Sequence, residues 1–425
     1  MATSLIILVF VIGYLAIIFE HTIKLNKAAS ALLTGVLCWT IYIFQSDARH
    51  KVSEQLLFQL GEISSVLFFL LGAMTIVELI DSHRGFEIIT GSITTSDKQV
   101  LLLIVTIITF FLSSLLDNLT TAIVMTSLCA KMLQVKEDRH RFAGMIIIAA
   151  NAGGVWSPLG DVTTTMLWIG GQISALNIIK QLFLPSIAAC AIPALIASMH
   201  FKGKKISYTR EKESTSRGKR EGKIILFAGI GFLLFVPVFK MITHLPPFMG
   251  MLLALGLMWM ITTIIHKGKE PEEAQRFTVA NALQKVDTPS ILFFLGILLA
   301  VSALQSMGLL KEMATVLNNT LKGDYLIGTA LGLISSVVDN VPLVAASQGM
   351  YDLYAYPMDH PFWEFLALTT GTGGSAIIIG SAAGVAVMGI EKINFIWYLK
   401  KITWLALLGF AAGILVFMIQ HKFLH

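Results

Sequence analysis

Ser113-Ser114-Leu115-Leu116-Asp117-Asn118 interrupts an apolar stretch that runs from Val100 to Leu133. The same phrase returns about half the chain later, as Ser335-Ser336-Val337-Val338-Asp339-Asn340. A carboxylate in the middle of a membrane helix costs roughly 2.5–3.5 kcal/mol on insertion scales. Two of them in one hexapeptide frame, one per half, read as a site built from an internal repeat.

The surrounding composition agrees with a membrane setting. Of 425 residues, 55% are hydrophobic and only 13% charged, whereas a soluble domain carries about 25% charged residues. The apolar runs suit spanning helices and do not alternate as barrel strands do. The fold class expected is therefore an all-α polytopic membrane protein. Cys38, Cys129 and Cys190 lie in apolar runs without metal spacing and read as small core residues. The net charge of +5 collects in loops, which reflects cytoplasmic loop charge and no nucleic-acid partner. The run Leu5–Phe19 lacks a basic leader and a cleavage site, so it is expected to stay as a helix.

Spans are expected over 3–19, 28–44, 63–80, 142–169 (broken between Asn151 and Gly160) and 181–199, with a re-entrant hairpin over 99–133. The second half offers 223–240, 247–265, 289–306, 363–388 (broken near 371–375) and 402–420, with a hairpin over 325–348. This divides the chain into an N-terminal repeat (1–200), a basic cytoplasmic linker (201–223) and a C-terminal repeat (224–425). The exit loop of the first hairpin carries Lys131, Lys136, Arg139 and Arg141; its counterpart carries Asp352 and Asp359 and no Lys or Arg. By the positive-inside rule the halves are then inverted, each with about five spans plus a hairpin and broken helices at the midplane, as in secondary transporters.

A small hard cation wants carboxylate, amide, hydroxyl and free carbonyl oxygens, and each hexapeptide supplies all four. A low-dielectric site makes a carboxylate hold its proton, and a bound cation opposes this. Proton and cation then compete for one acceptor. The candidate cation and proton ligands are Asp117, Asn118, Asp339, Asn340, Asn151 and Asp161, with Asp117 and Asp339 expected to share a Na+ site. Ser113, Ser157, Thr163, Thr164, Thr372 and Ser375 are expected to support them. Capping of the helix that follows is the plainer role for each Asp. No Lys or Arg is seen within the apolar runs near either break.

The two Asp-Asn tips, Asn151-Ala152-Gly153-Gly154-Val155-Trp156-Ser157-Pro158-Leu159-Gly160-Asp161 with Thr163-Thr164, and Gly371-Thr372-Gly373-Gly374-Ser375 resemble the NhaD-type sodium/proton antiporters of the ion transporter superfamily. The resemblance covers nearly the whole chain. It implies efflux of Na+ and Li+ against H+, pH homeostasis, a bacterial inner membrane and a homodimer. It implies no cofactor and no catalytic residue. Asp117, Asn118, Asn151, Asp161, Thr163, Thr164, Asp339, Asn340 and Ser375 match positions the family uses. The function expected is electrogenic exchange of Na+ (and Li+) for H+, with two protons per cation carried by Asp117 and Asp339. The alternative is a dicarboxylate or oxyanion carrier of the same fold. A membrane-embedded aspartyl protease fits poorly, because its Gly-x-Gly-Asp context is missing.

Overall fold

The computed structural model describes residues 2–90, 95–205, 216–267 and 277–424. All regular elements among them are helices. In the first half these are α1 (Ala2–Ile18), α2 (Lys27–Gln45), α3 (Arg49–Ser82), α4 (Lys98–Leu116), α5 (Asn118–Met132), α6 (Lys136–Gly154), α7 (Val162–Ile169) and α8 (Ala175–Met199). Their counterparts are α9 (Ser216–Thr243), α10 (Pro247–His266), α11 (Thr288–Ser306), α12 (Asp324–Ile334), α13 (Asn340–Met350), α14 (Pro361–Gly373), α15 (Ala382–Glu391) and α16 (Thr403–Leu424). Short helices such as Gly85–Thr90, Leu309–Leu321 and Phe395–Lys401 connect them. Among the described residues, eight helices are long and apolar enough to cross a membrane: α2, α3, α4, α8, α9, α10, α11 and α16. The protein is a multi-pass membrane protein.

Side-chain contacts fix how the elements run. Lys98 Nζ meets Asp138 Oδ2 at 2.7 Å, at the start of both α4 and α6. Ser113 Oγ donates to the Ala150 carbonyl at 2.6 Å, near the far end of both. So α4 and α6 run side by side in one sense. Asn118, which opens α5, lies 3.1 Å from Asn151, and α5 ends at Met132, just before α6 begins. It therefore returns the other way, and α4–α5 is a hairpin with Asp117 at its tip. The second half repeats this. Tyr325 packs on Phe365 at 5.0 Å, Ser335 Oγ donates to the Thr370 carbonyl at 2.6 Å, and Tyr351, just past α13, packs on Phe362 at 4.7 Å.

The two broken helices run in opposite senses. α7 leads from Asp161 to Gln172, whose carbonyl accepts from the Asp359 N–H at 2.8 Å, just before α14 begins. α15 leads from the centre to Glu391, which pairs with Arg139 near the start of α6 at 3.0 Å. The base of the first hairpin and the base of the second thus lie on opposite faces. The first face carries Lys98, Lys131, Lys136, Arg139 and Lys392; the second carries Asp324, Asp352 and Asp359. The halves also interleave, since α2 packs on α11 and α3 on α10.

Local chemistry explains the breaks. Asp117 has φ +81°, a conformation that costs a non-glycine residue about 1–3 kcal/mol. Its Oδ1 accepts the Thr120 N–H at 2.8 Å and so caps α5. Asp339 caps α13 through Val341 N–H at 3.2 Å, and Asp161 caps α7 through Thr163 N–H at 2.8 Å. Ser381 caps α15 through Gly384 N–H at 3.2 Å.

Several boundaries differ from those expected. The first break is confined to Asp117, because Ser113 to Leu116 stay helical and the two serines bond to carbonyls of Ala150 and Phe111. The second broken span opens at 374–381 and not at 371–375; Thr370 and Thr372 hydroxyls return to carbonyls of their own helix and leave α14 intact to Gly373. α3 begins at Arg49, well before the 63 expected for this span. Within the expected linker, 206–215 lie outside the described residues, and residues 216–223 already belong to α9.

Candidate functional site

The two hairpin tips meet at Asp161. Its Oδ2 accepts from Asn118 Nδ2 at 2.7 Å, and Asn340 Nδ2 reaches both its oxygens at 3.2 and 3.3 Å. The first amide comes from the tip of α4–α5 and the second from the tip of α12–α13. Thr163 completes the shell, its N–H and hydroxyl each donating to Oδ1 at 2.8 Å. Asp161 is 1% exposed, so its charge is answered almost wholly by these dipoles. Asn151 ties the arrangement together. Its Oδ1 accepts from Asn118, and its Nδ2 donates to Ser375 Oγ at 2.9 Å and Ser381 Oγ at 3.0 Å. Every contact in this cluster except that to Thr163 joins separate elements, and four of them cross between the halves.

Asp117 and Asp339 stand apart from each other. Asp117 lines a cavity of about 50 Å³ with Asn118, Phe69, Met74, Thr165 and Phe294. Asp339 lines a different cavity of about 50 Å³ with Tyr14, Glu20, Lys27 and Phe293. Each has room for a few waters. The shared Asp117–Asp339 site expected from the sequence is therefore not formed in this conformation. Asp161 is the acid they have in common, and it interacts electrostatically with each of them. The reason is geometric: each Asp turns back to cap its own hairpin arm, which points the following Asn inward and the carboxylate outward.

The supporting residues divide. Thr163 and Ser375 touch the central cluster. Ser113 pins the hairpin to α6, as Ser335 pins the other to α14. Ser157 holds the turn, accepting Leu159 N–H on its hydroxyl and Thr164 Oγ1 on its carbonyl. Thr372 bonds within its own helix, to Leu368, and takes no part. Two residues escape the sequence reading. Ser381 follows Gly380 as Asp161 follows Gly160, so the repeat itself points to it. Lys27 carries no such signal, and it places an ammonium in the Asp339 cavity where no basic residue was expected near either break.

Arg139 secures the positive face of the site. It holds Glu391, whose side chain is 5% exposed, at 3.0 Å. Arg139→Ala is expected to leave that acid unpaired and to cost about 3 kcal/mol. A fall in detergent melting temperature of several degrees, with the Asp161 cluster untouched, checks this; an unchanged melting temperature contradicts it.

Two hairpins meeting tip to tip at a buried acid inside a multi-pass helical protein are the arrangement of a secondary transporter. The profile of the CitMHS family, described as citrate transporter, matches residues 14–371. The chain is 47% identical over 417 residues to sodium/proton antiporter 1 of Arabidopsis thaliana, covering 98% of this chain and 72% of that one. It is 44% identical to sodium/proton antiporter 2 of the same plant, covering 98% and 99%. The Na+/H+ antiporter NhaD of Vibrio cholerae is 32% identical over 452 residues, covering 97% and 91%. The chain belongs to the CitMHS family and is of its NhaD type.

Proposed function

We propose that the protein exchanges Na+, and Li+, for H+ across an energised membrane. The observation that carries this reading is Asp161, a buried carboxylate reached by an asparagine from each hairpin tip. Both asparagines turn their amide N–H₂ groups toward Asp161, that of Asn118 donating to Asn151 as well. Their amide oxygens are left as ligands for a cation beside Asp117 and Asp339. Four carboxylates, Asp117, Asp161, Asp339 and Glu20, against one ammonium favour a cation over an anion. The names of the plant and bacterial relatives support the same exchange.

We take the halves to be inverted repeats, with the lysine-rich face in the cytoplasm by loop charge. We take the membrane to be a bacterial inner membrane, the assembly to be a homodimer and the physiological role to be pH homeostasis. No cofactor beyond the exchanged ions is required. More carboxylates than one cation can neutralise makes the exchange electrogenic, with more protons than cations per cycle.

Everted vesicles under a proton gradient test this. Added NaCl or LiCl should dissipate ΔpH, and a permeant counter-ion should accelerate it. A rate indifferent to membrane potential rules out the electrogenic version. Asp117→Asn and Asp339→Asn should each lower the rate by roughly 100-fold, as loss of an ion-pathway acid implies. The family's citrate description and the ammonium of Lys27 favour a second reading, an anion carrier. Such a carrier should keep or gain activity in the same two variants.

A further inference from the structure

We propose that Lys27 is a specificity-determining residue. Its ammonium acts as a tethered counter-cation for Asp339, so this cavity exchanges protons while the alkali cation binds on the Asp117 side. The inference rests on the exchange proposed above and assigns its two ions to different cavities.

The two repeat-related acids have unlike surroundings. Asp339 shares its cavity with Lys27, Glu20 and Tyr14. Among the described residues, no Lys or Arg lines the Asp117 cavity. Lys27 is half-buried. Its Nζ stands 4.7 Å over the Phe293 ring, and Phe293 is itself a wall of that cavity. Asp339 and Lys27 interact electrostatically.

The position is not explained by the helix it sits on. Lys27 is the first residue of α2, where the helix dipole disfavours a cation. The Asn26 side chain caps Ala28 N–H at 2.8 Å, and Glu20 accepts the Lys27 backbone N–H at 3.1 Å. Those two groups serve the helix end. The Lys27 side chain serves the cavity. Among the described residues, the charged groups facing that space are Asp339 from the second hairpin, Glu20 from the α1–α2 connection and Lys27 from α2, with the Tyr14 hydroxyl from α1. A fixed positive charge there repels a free Na+ yet leaves a proton able to reach the carboxylate, because a proton is held by a bond and needs no ligand shell.

The experiment compares wild type, Lys27→Gln and Lys27→Arg, with Na+ as the probe. Na+ binding is measured on purified protein in detergent, and Na+-dependent H+ movement in proteoliposomes. In Lys27→Gln the Asp339 cavity should gain Na+ affinity by roughly tenfold, read as a second bound Na+ that the wild type lacks at the same concentration, the scale of removing a unit charge a few ångströms away in a half-wet cavity. The same variant should also shift the pH dependence of exchange, while Lys27→Arg stays near wild type in both. Wild-type Na+ binding and pH profile in Lys27→Gln overturn the inference. So does complete loss of binding in a monodisperse Lys27→Gln, or Lys27→Arg behaving as Lys27→Gln does. Failure of the wild type to move protons with Na+ removes the exchange reading instead, and the binding arm separates the two.

Discussion

Asp161→Asn is expected to abolish Na+-dependent proton exchange. Among the described residues, Asp161 is the one acid hydrogen-bonded from both hairpins, and its two oxygens accept five hydrogen bonds, from Asn118, Asn340 and Thr163. An amide in its place keeps the Thr163 cap on Oδ1. It then turns an N–H₂ group toward the N–H₂ groups of Asn118 and Asn340. Rotating the Asn118 amide relieves one conflict and makes another, because its oxygen would then face Asn151 Oδ1. A charge-assisted hydrogen bond is worth about 1.5–3 kcal/mol, so the tips lose their common anchor. The cation also loses the negative charge that draws it to the meeting point. The initial rate of dequenching should fall by at least ~100-fold, a loss larger than a single supporting hydroxyl would cause. The protein should still elute as a single species in detergent, since α7 keeps its cap. Retention of more than about a tenth of the wild-type rate would mean that the ion never depends on this carboxylate.

Much of this site is legible in the sequence, and the limits of that reading are physical. The hairpins show because a polar hexapeptide at membrane depth is costly and occurs twice. The expectation that the halves are inverted rests on lysines in one exit loop and aspartates in the other. Asp161 shows as a polar end of a glycine-rich break. That Asp161, and not Asp117 or Asp339, is the acid both tips contact does not show, because this depends on where a side chain points. Capping turns Asp117 and Asp339 outward and Asn118 and Asn340 inward, and one residue of rotation at each tip decides which group is central. The helical boundaries at Ser113 and Gly371 escape for a related reason: hydroxyls that bond to carbonyls of their own or a neighbouring helix let helix persist through a polar run. Lys27 and Asp339 are far apart in the sequence, and the packing of both α2 and α13 on α11 brings them together.

Gly153→Ala and Gly373→Ala should each cost roughly 100-fold in exchange rate, though neither glycine touches an ion ligand. The two hold equivalent places in the two halves and do the same thing in each. A Cβ on Gly153 would stand 2.2 Å from the Phe110 carbonyl oxygen of α4; one on Gly373 would stand 2.0 Å from the Gly332 carbonyl oxygen of α12. Both obstacles are backbone, which cannot rotate away as a side chain can. Each hairpin must therefore move off its broken helix by about 1 Å to regain ordinary contact. The tip carrying Asp117 and Asn118 follows Phe110 by two turns of the same helix and moves with it. A displacement of that size is enough to cost about 100-fold where geometry matters. Overpacking itself costs about 1–3 kcal/mol, so the melting temperature should fall only modestly. Gly256→Ala is the control, because nothing lies within 4 Å of a Cβ there, and it should leave exchange unchanged. Loss of transport with a small loss of stability would tie function to how closely each hairpin lies on its broken helix. Full activity in both alanine variants would show that the tips find Asp161 without that contact.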